Sequence, residues 1–63
     1  MDEITKTLHN MSEQLATAIN DAEKFDAGNN SAGTRVRKAM QNIKSLAQNV
    51  RLEVQVQKNS ELA

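Results

Sequence analysis

Two runs of apolar residues, each stepping by four and three along the chain, are separated by Gly28-Asn29-Asn30-Ser31. The first is Ile4, Leu8, Met11, Leu15, Ala18, Ala22 and Phe25, widened by Ile19. The second is Val36, Met40, Ile43, Ala47, Val50 and Val54, joined by Ala39 and Leu46 on an adjoining row. Alternating steps of four and three return to the same side of an α-helix every two turns, so each run is one stripe of a helix. A chain of 63 residues without Pro has room for two such helices and for no second domain. The spacing predicts one all-α domain, an antiparallel two-helix hairpin with helix over 2–27, turn over 28–31, helix over 32–58 and a frayed tail at 59–63. From Leu52 onward Leu-Glu-Val-Gln-Val-Gln also alternates with period two, so a short strand over 52–57 is the alternative to continued helix.

The breakpoints have local causes. Asp2 can accept from the first free N–H groups of the first helix, and Glu3 beside it suits the positive end of the helix dipole. Gly28, without a Cβ, can take the left-handed conformation that closes a helix, while Asn29 and Ser31 both offer a cap oxygen for the next. The sequence does not choose between those two caps.

So short a chain hides only about 60% of the surface of its unfolded form. With no Cys, Trp or Tyr and a single Phe, neither disulfides nor an aromatic core can compensate, which leaves self-association as the common remedy. The expected oligomer core is Leu8, Met11, Leu15, Ile19, Phe25, Val36, Met40, Ile43, Leu46, Val50 and Val54, in a homodimer or higher oligomer arranged as a four-helix bundle or coiled-coil-like assembly. The start of the chain has no basic segment followed by an apolar run, and no run of eighteen apolar residues occurs. A cytoplasmic protein with no membrane partner is expected.

Formal charge is zero, but it is unevenly placed. Residues 1–27 carry two cations against six carboxylates, a net of −4, and residues 28–63 carry six cations against two, a net of +4. Arg35, Arg37 and Lys38 open the second helix, where each opposes the helix dipole by ~0.3–1 kcal/mol. Two kinds of anion can answer them. Phosphates of an outside partner are suited to the free N–H groups of a helix start. The chain's own Asp21, Glu23 and Asp26, misplaced in turn at the negative end of the first helix, would lie next to them in a hairpin. Arg37, Lys44, Arg51 and Lys58 then recur every seven residues along ~30 Å of helix, close to the ~34 Å repeat of duplex DNA. Backbone contact by such a row fixes position without reading bases. The same spacing also occurs where charges flanking a coiled seam pair across helices. Gly33 inside a helix costs ~1 kcal/mol relative to Ala, which points to close backbone approach, either to the first helix or to a phosphate. The Thr34 hydroxyl can cap or bind phosphate.

His9 is the single histidine, no second base stands near any serine in the pattern, and no phosphate loop of the Gly-x-x-x-x-Gly-Lys type is present. No metal, cofactor, small-molecule substrate or enzymatic activity is therefore expected.

Gly28-Asn29, then Ala32-Gly33-Thr34-Arg35-Val36-Arg37-Lys38-Ala39, followed by Leu46 and Arg51, resembles the short bacterial linker-histone-like (histone-one-like) proteins, akin to the amino-terminal domain of the chlamydial-type histone-like family. The likeness spans residues 11–58 or so and is most specific in the turn and helix start. It implies a nucleoid-associated protein that self-associates and binds, bridges or condenses double-stranded DNA without marked sequence preference. By the resemblance Arg35, Arg37 and Lys38 match the family's basic motif, and Gly28, Gly33 and Thr34 match its turn. The Lys- and Ala-rich tail of longer members has no counterpart in these residues. The competing expectation is a helical oligomerisation module whose charges pair internally or with a protein partner.

Overall fold

In a computed structural model that describes residues 3–62, with side chains through Asn59, two helices pack against each other: α1 (Glu3–Asp26) and α2 (Asn30–Leu62). The expected cap at Asp2 lies outside the described residues. Among the described residues there is no strand, and the 52–57 stretch is helical, with Val50, Val54 and Gln57 half-buried at the helical spacing that continues the α2 stripe. No helix among these residues is long and apolar enough to cross a membrane.

The turn is Ala27–Asn29, one residue earlier at its start and two at its end than the sequence predicts. Two backbone bonds close α1: the N–H of Gly28 donates to the carbonyl of Phe25 (2.9 Å) and that of Asn29 to the carbonyl of Lys24 (3.0 Å). That paired closure places its left-handed residue one step beyond the helix, and Gly28 occupies it with φ of 108°. Asn29 is the cap of α2. Its Oδ1 accepts from the N–H of Ala32 (3.3 Å), three residues on, so Ser31 falls inside the first turn. At the other end α2 continues to Leu62, past the frayed tail expected from residue 59. The amides of Gln55 and Gln57 reach Asn59 and Glu53 four residues away, which supports the helix there.

The hairpin is long and thin, 54 × 15 × 11 Å. With 33 residues in α2 against 24 in α1, the second helix overhangs the first by ~13 Å. Ala18 and Ala32 are fully buried, at 3% and 0% exposure, and no large side chain among the described residues is. Small residues let the two backbones approach. The side of α1 turned to α2 carries Ile4, Thr7, Met11, Gln14, Ala18 and Asp21, so it is rotated from the apolar stripe by roughly half a residue step, ~50°. The polar residues Thr7, Gln14 and Asp21 take the inner places expected for Leu8, Leu15 and Ala22. Leu8, Leu15, Ile19, Phe25 and Met40 are left 42–53% exposed, while Met11, Val36, Ile43, Leu46, Val50 and Val54 are half-buried.

Candidate nucleic-acid interface

Two flanks border the contact between the helices. In an antiparallel pair, reversing one helix and moving it across the contact both invert the sense of rotation, so residues one step after the packed row of each helix share one side of the hairpin. On α1 these are Leu8, Leu15 and Ile19, which follow Thr7, Gln14 and Ala18. On α2 they are Arg37, Met40, Lys44, Arg51 and Lys58, which follow Val36, Ala39, Ile43, Val50 and Gln57. Residues one step before the packed rows share the opposite side. There Glu13, Thr17, Arg35, Lys38 and Asn42 line one shallow groove with Asp21.

This geometry divides the cations that the sequence groups together. Arg35 and Arg37 lie ~160° apart around α2. The Nε of Arg35 donates to Oδ1 of Asp21 at 2.9 Å, an ion pair whose carboxylate side chain is 13% exposed against 48% for the guanidinium. Lys38 lies on that same flank of the groove, with Glu13. Of the three carboxylates proposed to quench the helix start, Asp21 does so for Arg35. Glu23 and Asp26 are exposed and make no ion pair among the described residues.

Replacing Arg35 by Leu, which has no donor, leaves the inward-turned Asp21 carboxylate without its partner, and we expect this to destabilise the hairpin by about 1–2 kcal/mol. Asp21→Asn keeps an acceptor there and should cost less. Thermal denaturation of the two variants tests the order.

On the opposite flank Arg37, Lys44, Arg51 and Lys58 are all exposed and none lies within 4.0 Å of a carboxylate among the described residues. The row is therefore a cationic edge parallel to α2, interrupted by no acidic residue of its own helix face. Thr34 stands at its start. With Arg37 it lines a cavity of about 450 Å³ that Phe25, Asn30, Gly33 and Val36 complete. Phe25, also expected in the oligomer core, is 49% exposed in the single chain and lies over Gly33. A Cβ at Gly33 would come within 2.5 Å of ring carbons Cδ1 and Cε1. Close approach to α1 thus accounts for the glycine. The signal available in the sequence was a lone aromatic eight residues before a helical Gly, across a turn.

The family model described as Histone H1-like protein Hc1 matches residues 5–60. Nothing among curated proteins or solved structures matches the chain significantly. The matched stretch takes in nearly all of α1, the turn, and α2 through the whole cationic edge. On that coverage, the chain belongs to the histone H1-like Hc1 family.

Proposed function

We propose that this protein binds double-stranded DNA without sequence preference, as a nucleoid-associated histone-like protein, and bridges or condenses it as an oligomer. The observation that carries this reading is the exposed row Arg37, Lys44, Arg51 and Lys58, outside any ion pair among the described residues along ~30 Å of helix, in a chain of a histone H1-like family. Ammonium and guanidinium groups recurring every ~10 Å face backbone phosphates at intervals along about one turn of duplex. Each neutralised phosphate releases condensed counterions, and this entropy supplies the affinity. Thr34 and the N–H groups at the start of α2 extend the row toward the turn, while Lys38 adds charge from the other flank. Arg35 contributes less, since its Nε is committed to Asp21.

The Asp21–Arg35 pair favours the rival reading for that residue alone: there the charges do quench each other within the chain. A salt titration of duplex binding tests the proposal. For four phosphate contacts per chain the log–log slope should be about −3.6. Binding that is flat with salt, or absent, overturns it.

A further inference from the structure

Phe25 is the one Phe of a chain that has no Trp or Tyr, and it is half in water, 49% exposed. One edge of its ring rests on α2 at Gly33, where a Cβ would come within 2.5 Å of Cδ1 and Cε1. The arrangement is unfavourable twice over. A Gly stands inside a helix that Ala would favour, and the ring it admits is left half uncovered. Packing alone would be better served by Ala at 33 and a smaller apolar residue at 25.

The ring also borders the cavity of about 450 Å³ near the turn, which falls within the ~300–1,000 Å³ of sites that hold small ligands. Arg37, the first cation of the exposed row, lines the same cavity with Asn30 and Thr34. The hydroxyls of Thr7 and Thr17 turn back to carbonyls four residues earlier, at 2.9 and 3.3 Å. Thr34 makes no such bond among the described residues, so its hydroxyl is uncommitted.

We infer that this cavity takes one unpaired nucleotide of DNA, whose base stacks on the Phe25 ring while Arg37 holds the adjoining phosphate. The inference rests on the phosphate-binding reading of the row and adds a contact that cations alone do not make. In an intact duplex each base face is covered by its neighbours, and taking a base out costs least where it is already unpaired. Every base has a π-face, so such a site tells unpaired from paired without reading sequence. The Asn30 amide, which both donates and accepts, and the Thr34 hydroxyl supply polar partners for the base edge and the sugar-phosphate.

The experiment measures, by anisotropy across salt, binding of the unmodified chain to a labelled duplex and to the same duplex carrying one bulged nucleotide. We expect the bulged DNA to bind ~5- to 150-fold more tightly, the worth of one base on an aromatic ring. The two salt dependences should run parallel, because a stacked base neutralises no further phosphate. Phe25→Leu should abolish the preference and Phe25→Tyr should keep it. Partial unfolding of a variant removes the same fraction of chains from both DNAs, so the ratio of affinities still reports the ring. Phe25→Tyr also gives the chain its one tyrosine, whose emission should be quenched more by the bulged DNA than by the intact one.

Equal binding of the two DNAs by the unmodified chain overturns the inference and leaves the phosphate reading standing. A preference that survives Phe25→Leu, or that is lost equally in Phe25→Tyr, overturns it as well, since the bulge is then recognised by something other than the ring face. A chain that binds neither DNA overturns the phosphate reading and this site together.

Discussion

Replacing Arg37, Lys44, Arg51 and Lys58 together by Gln is expected to abolish duplex retardation while leaving the helical signal unchanged. All four side chains are exposed and outside any ion pair among the described residues, and Gln has nearly the helix propensity of Lys and Arg. The fold therefore has little to lose. The interaction with duplex loses most of its electrostatic term: four contacts per copy correspond to ~150-fold weaker binding for a fourfold rise in salt, and the variant, left with Lys38 and Arg35, should show a much flatter dependence. Gel retardation and circular dichroism on the same preparation decide it. Undiminished binding would place the site elsewhere. A parallel replacement of Arg35 and Lys38 should change duplex binding less, since those two occupy the flank with Asp21 and Glu13.

A large side chain at position 33 should be the most damaging single change to the hairpin. Even the first carbon of such a side chain would meet the Phe25 ring at 2.5 Å, and the half-exposed ring can give way only by swinging into solvent, which forfeits its packing on α2. Gly33→Leu is expected to lower stability by about 2–3 kcal/mol through overpacking, equivalent to a fall of ~8–24 °C in melting temperature for so small a domain. The companion change identifies the cause. Once Phe25 is Ala, Gly33→Ala should become stabilising by ~1 kcal/mol, because the ordinary helical preference for Ala over Gly is then unopposed. Thermal melts of the four chains of this double-mutant cycle measure the coupling directly. An equal effect of Gly33→Ala with and without the ring would mean that the glycine serves another purpose.

The elements themselves were readable because period and punctuation agree: steps of four and three on both sides, and one Gly where a left-handed residue is needed. The cap was not, since Asn29, Asn30 and Ser31 can all serve and only the bond from the N–H of Ala32 to Asn29 selects one. The rotation of α1 was hidden for a different reason. Apolar periodicity locates a stripe, but the contact settles where small residues let backbones close, and Ala18 and Ala32 pull the packed face toward Thr7, Gln14 and Asp21.

Helix geometry alone separates Arg35 from Arg37 within α2. Three cations adjacent in sequence look like one cluster, yet a helix sends neighbours two apart to nearly opposite sides. The seven-residue row was legible, because that spacing preserves a side. What no spacing could reveal is that this side also carries the uncovered leucines, which depends on how the second helix folds back.

The special ties between the helices gather near the turn: the double closure over Gly28, the Asn29 cap, Phe25 over Gly33, and Asp21 with Arg35. At the far end, where α2 overhangs, only half-buried side chains such as Ile4, Val50 and Val54 hold the pair. Local opening is easiest where buried contacts are fewest. The molecule is thus built like tweezers, stiff at the spring and yielding at the tips, and separation of the helices should begin beside Ile4 and Val54 while the turn stays closed.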